Sequence, residues 1–125
     1  MSVSSVTASR LTSVAELGQQ VWLDNLSREQ IGSGELARLI AADGIQGAVA
    51  NATADPADLR QACDLFGETH SARGTGFVSA PLPLHLANDA EAMIAAARAL
   101  WAGIGRPNAM VAIPATVAGA EALEQ

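Results

Sequence analysis

Apolar residues fall along this chain in two alternating rhythms. Short continuous runs, VWLDNL (Val21 to Leu26), GAVAN (Gly47 to Asn51), FVSAP (Phe77 to Pro81) and Ala109 to Ala115, have the length and bounds of buried strands. Between them the apolar positions recur at helical spacing. Leu11, Val14 and Leu17 with Gly18 mark a short first helix. Leu36, Leu39 and Ile40 mark another, which Gly44 stops. Leu59, Cys63 and Phe66 share a third face. Met93, Ile94, Ala97, Leu100, Trp101 and Ile104 form the stripe of a longer helix ended by Gly105 and Pro107.

The punctuation fits this order. Ser27 to Gln30 has the capping-box pattern, and Ser33 can cap the next helix. Asp55-Pro56 offers an N-cap followed by proline at the first helical position. Asn88 and Thr116 can cap the last two helices, and Pro81 and Pro83 keep LPLHLA a loop. The sequence therefore predicts βαβαβαβα: an α/β fold of about four parallel strands with intervening helices. In such sheets the carboxyl ends of the strands face the site, and here those ends carry Asp24, Asn25, Asn51, Ser79 and Thr116.

Composition narrows the chemistry. The chain has 125 residues, half of them hydrophobic, which suits one folded domain. The expected division is a flexible lead-in over residues 1–10 and one domain over 11–125. The net charge is −6, which gives no electrostatic footprint for nucleic acid or an anionic membrane. No apolar run reaches membrane-spanning or signal-peptide length, and a lone cysteine fits a reducing compartment, so a cytoplasmic protein is expected. All seven basic residues are arginine. Without lysine the chain has no ε-amine for a Schiff base.

The segments WLDNLSRE, GELARLIAADGIQG, QACDL, FVS, NDAEAMIAAARALW and RPNAMVAIPAT together resemble the amino-terminal part of bacterial transaldolases, over about Leu11 to Leu123. The resemblance implies half of a transaldolase-type (β/α)8 barrel. Transaldolases move a dihydroxyacetone unit between sugar phosphates through a lysine Schiff base, with an aspartate on the first strand and a glutamate on the third. By this resemblance Asp24 stands at the aspartate, and Asn51 of Ala50-Asn51-Ala52-Thr53 at a substrate-contacting asparagine. Pro81 stands at the glutamate and Ala112 at the lysine. The strands with the family's phosphate-binding arginines are absent, and the segment between the second and third strands looks shortened.

Each surviving residue has two readings. Asp24 is a general acid or base, or it hydrogen-bonds its own loop. Asn25, Asn51, Ser79, Ala112 and Thr116 line a ligand site, or are ordinary strand-end and cap residues. His85, between two leucines after the proline pair, is a new general base or a structural histidine. His70 reads as solvated in a loop beside Arg73-Gly-Thr-Gly, itself read as a turn. Cys63 reads as a buried, inert thiol, and no cysteine or histidine spacing supports a metal site.

No cofactor is expected. The leading expectation is a transaldolase-like pseudoenzyme without aldol chemistry, binding a small molecule or a protein. Four parallel strands leave open edges, so a homodimer or a barrel-completing partner is expected. The alternative is a repurposed cyclase, isomerase or lyase of bacterial specialised metabolism. It would use an apolar pocket at the strand tips, with Asp24 or His85 as acid or base. Either way, the sequence excludes an active transaldolase.

Overall fold

The computed structural model describes residues 10–51 and 55–125. Strands β1 (Trp22–Leu26), β2 (Gly47–Ala50), β3 (Phe77–Pro81) and β4 (Ala109–Ala112) pair in parallel in the order β1-β2-β3-β4. The helices are α1 (Arg10–Glu16), α2 (Arg28–Gly32), α3 (Glu35–Arg38), α4 (Pro56–Leu65), α5 (Gly67–Arg73), α6 (Ala90–Ile104) and α7 (Val117–Leu123). A π-helical segment, Leu39–Asp43, continues α3. The expected lead-in lies outside the described residues except at Arg10, which opens α1; Ala52 and Thr53 also lie outside them.

Local chemistry sets these boundaries. Ser27 Oγ accepts from the Gln30 N–H at 3.2 Å while Gln30 Oε1 accepts from the Ser27 N–H at 3.0 Å. Asp55 and Asp58 make the same reciprocal pair at the start of α4. Arg28 then joins the two starts: its Nη2 and Nε lie 2.8 Å from Asp55 Oδ2 and Asp58 Oδ2. That guanidinium holds Asp58 below the usual carboxylate range, as Arg106 does for Asp64.

Several boundaries differ from the sequence pattern. Ser33 closes α2, and Gly34 (φ +89°) starts α3 in its place, because only glycine takes that turn without strain. Asp89 rather than Asn88 caps α6, accepting from the Ala92 N–H at 3.0 Å; a charged acceptor suits the helix dipole better. Strand β4 stops at Ala112 because Pro114 has no N–H to pair. Residues Leu84–Leu86 form a 3₁₀ turn instead of open loop. Leu17 lies past α1 and is 81% exposed, and Trp101 is 49% exposed, so neither belongs to the core.

His70 is not in a loop. It sits on α5, with Nδ1 2.9 Å from the Thr75 carbonyl and its ring edge-on to Phe77. Helix α5 escaped the sequence reading because GETHSAR has no apolar stripe.

The core lies on one side of the sheet. Ala48, Ala50, Val78, Ala80 and Ala109 are buried against Leu26, Ile31, Leu36, Leu59 and Phe66. Small strand residues let the helices approach closely. Leu82, Met93 and Ala122 form a second cluster under α6 and α7.

One buried polar residue closes this arrangement. Asn108, 3% exposed, donates through Nδ2 to the Cys63 and Gly76 carbonyls at 2.9 and 2.8 Å. Its own carbonyl accepts from the Val78 N–H at 2.9 Å. It thus fixes the end of α4 and the starts of β3 and β4 together. Replacing it strands two carbonyls, so Asn108→Leu is expected to destabilise the fold by about 2–4 kcal/mol in urea unfolding. Arg106→Gln, which removes an exposed ion pair to Asp64, should leave the urea midpoint nearly unchanged.

Candidate functional site

In parallel pairing, residues in register project to the same face. One lateral row is Trp22, Gly47 and Phe77; the next holds Val49, Ser79 and Met110; the last pairs Pro81 with Ala112. Asp24 and Asn51 extend this face two residues beyond Trp22 and Val49. Alternate residues go to the opposite, helix-covered side. The face bearing Asp24, Asn51, Ser79 and Ala112 is the uncovered one: Asp24 and Ala112 are exposed, and Met110 is 44% exposed.

Strand β1 is irregular at this site. Its register advances from Leu23↔Ala48 to Leu26↔Ala50, so three steps on β1 match two on β2. The extra residue makes a bulge at Asp24-Asn25, and Asn25 has φ +57°. Asparagine tolerates this left-handed geometry better than most residues. Asp24 Oδ1 accepts from the Asn25 N–H at 2.8 Å, so the carboxylate supports its own bulge while staying in water.

The ends of β3 and β4 are chemically bare. A hollow of about 150 Å³ there is lined by Pro81, Leu82, Leu84, Ala112, Ile113 and Pro114. It holds no ionisable side chain and no hydroxyl. A larger hollow of about 340 Å³ opens behind it, between Pro56 on α4, Leu82, Pro83 and the α6 residues Ala96, Ala99 and Leu100. Its lining carries no polar side chain either. Pro81-Leu82-Pro83 runs between the two hollows.

The remaining candidates divide. His85 is exposed on the 3₁₀ turn and lines none of these hollows. Thr116 caps α7: Oγ1 accepts from the Gly119 N–H at 3.0 Å and donates to the Ala87 carbonyl. Its single proton is used in the fold. The structure thus brings Asp24, Asn51, Ser79 and Ala112 to one face, puts Asn25 in the bulge beside them, and gives Thr116 a capping task. Asn51 also donates its backbone N–H to the Leu26 carbonyl at 2.9 Å, fixing its strand end against β1.

Trp22 is the residue that the sequence reading missed. Its indole lies over Gly47, where a Cβ would collide with the ring, and its Nε1 donates to Gln20 Oε1 at 2.9 Å. It places a large aromatic surface on the open face. A tryptophan on one strand and a glycine on the next become a pair only once the register is known.

Among the described residues no group of three or more His, Cys, Asp or Glu side chains could hold a metal ion. No helix of the described residues is long and apolar enough to cross a membrane. Cys63 is buried, and that burial, with the charge of Asp64 nearby, pushes its thiol up to about 11.

The family model for Transaldolase/Fructose-6-phosphate aldolase matches residues 56–125. The transaldolase of Neisseria gonorrhoeae is 38% identical over 148 residues, which covers 91% of this chain and 42% of that protein. The transaldolase of Saccharopolyspora erythraea is 34% identical, covering 94% and 41%. Transaldolase 2 of a Nostoc species is 35% identical, covering 92% and 39%. The chain therefore spans about two fifths of the length of these relatives. The Neisseria match runs over 148 residues, more than this chain has, so within it the relative carries residues without a counterpart here.

A thiol held neutral and buried is a poor nucleophile. At pH 8 native Cys63 should react with a disulfide reagent at least ~100-fold more slowly than in urea-unfolded protein, and equal rates would place the thiol at the surface.

Proposed function

We propose that this chain, which belongs to the transaldolase/fructose-6-phosphate aldolase family, is a pseudoenzyme of that family that works by binding. The observation that carries this reading is the pairing of Pro81 with Ala112 at the strand tips. These are the positions where the resemblance puts the catalytic glutamate and the Schiff-base lysine. Neither residue can replace what it stands for. Alanine has no nucleophile, proline no proton to move, and no other position in the chain holds a lysine. The hollow they line is apolar and too small alone for an average ligand pocket.

The open face supports a binding role. Trp22, Val49, Phe77 and Met110 share it, and β1 and β4 form the two edges of the sheet. Covering it would remove apolar surface from water and pair free strand edges. A second copy related by a two-fold axis does both, setting β1 of each against β4 of the other to give eight strands. In that arrangement both Asp24 side chains and both apolar hollows line one shared mouth, a setting for a small, largely apolar ligand.

One observation favours a second reading. The bulge sets Asp24 at the rim of the open face as its one acid, which suits a repurposed enzyme with a single acid–base group.

With fructose 6-phosphate and borohydride, no mass addition to the intact protein is expected; a trapped adduct overturns the pseudoenzyme reading. Sedimentation at tens of micromolar should show a dimer, and a clean monomer rejects closure by a second copy. A reaction abolished by Asp24→Asn with the fold intact decides for the repurposed enzyme.

A further inference from the structure

Apolar surface borders the free edge of β4 on both sides. Met110 and Ala112 lie on the open face. On the helix-covered side a groove of about 310 Å³ runs between Ile94, Ala97 and Trp101 of α6, Val111 and Ile113 at β4, and Ala122 of α7. Val111 falls there because Met110 and Ala112, its neighbours along the strand, face the other way. Helix α7 ends after seven residues, and Trp101 stays 49% exposed at the groove. Arg98 is the one charged side chain in the lining, and it has no ion pair among the described residues.

The groove matters once β4 is paired. A parallel seam is dry only when both of its faces are covered. Closure of the open face by a second copy covers one side of the seam between β4 and that copy's β1. The helix side stays wet along this groove unless the same copy fills it. Area points the same way. Strand β4 offers four residues of edge, about 13 Å, which alone falls well short of the roughly 800 Å² that each partner buries in a stable interface.

The entrance to β1 carries what the groove lacks. Helix α1 packs against the π-helical segment, so it stands in the helix layer and not over the open face. Leu17 follows it and is 81% exposed. Glu16 beside it is exposed and has no ion pair among the described residues. Gly18, at φ +88°, then turns the chain toward β1. An exposed leucine beside a free carboxylate is the complement of an apolar groove beside a free guanidinium. In a chain of net charge −6, whose copies otherwise repel, that match favours one docking geometry.

We propose that this groove seats Leu17 of a second copy, with Glu16 of that copy paired to Arg98. The contact rests on the closure of the open face by a second copy, and it lies on the outside of the shared sheet. A two-fold axis makes it twice in each dimer.

The test is sedimentation equilibrium of the full chain and of variants at these exposed positions, with circular dichroism to verify the fold. Arg98→Glu and Glu16→Arg should each raise the dimer dissociation constant at least ~10-fold, since each sets like charges together twice. Combined in one chain they restore attraction, and the constant should return to within ~3-fold of its original value. Leu17→Ser should weaken the dimer as well. A dimer that ignores the single changes, or that the double change does not rescue, overturns this contact and leaves the closure standing. A chain that is monomeric without any change overturns both.

Discussion

A parallel sheet needs both of its faces out of water, because its strands carry apolar side chains above and below. In this chain α4 and α6, with their neighbours, cover one face, and the strands alternate accordingly. In β3, Val78 and Ala80 are buried while Phe77, Ser79 and Pro81 are only partly so. The uncovered face inherits its residues from that alternation. Once Val78 must face Phe66 and Leu59, Ser79 and Pro81 have to face the other way. The candidate site is thus a consequence of core packing: its residues meet because the core occupies the opposite side.

Asp24 feels this constraint most. On an open face its carboxylate is solvated and needs only the Asn25 N–H to steady it. Covering the face would remove that water, and no arginine is paired with Asp24 to replace it. A cover made only of apolar groups would leave a charge in a dry place at several kcal/mol. Any partner or ligand seated there must therefore bring Asp24 a donor, keep a water beside it, or keep its proton on. The two readings of the site converge on this residue. A binding protein and an acid–base enzyme differ in what they do with Asp24, but both must solve the same solvation problem.

Sequence rhythm and capping chemistry made most of the scaffold legible. FVSAP reads as a strand because its ends are turns and its centre is apolar, and Asp55-Pro56 opens a helix because both residues suit their positions. The errors came where local signals compete. Asn88 and Asp89 are both good caps, and charge decided for Asp89. Helix α5 has no stripe, since it packs by its ends and by His70 against Phe77. Trp101 obeys the helical spacing of α6 but is 49% exposed, so spacing alone did not put it in the core. At the site, residue identities exposed the bare Ala112 and Pro81, whereas the bulge at Asn25 and the indole over Gly47 arise only from register.

The carboxyl ends of β3 and β4 depart from a common division of labour. In barrels and open α/β sheets, chemistry gathers at the carboxyl ends of the strands, and the amino ends serve stability. Here the carboxyl ends of β3 and β4 present proline, alanine and leucine. The lack of charge at these ends has a simple physical consequence. An amine or carboxylate there would need water or a partner beside it, at a cost to stability. Ala112 and Pro81 carry no such cost and leave an apolar floor at the ends of β3 and β4.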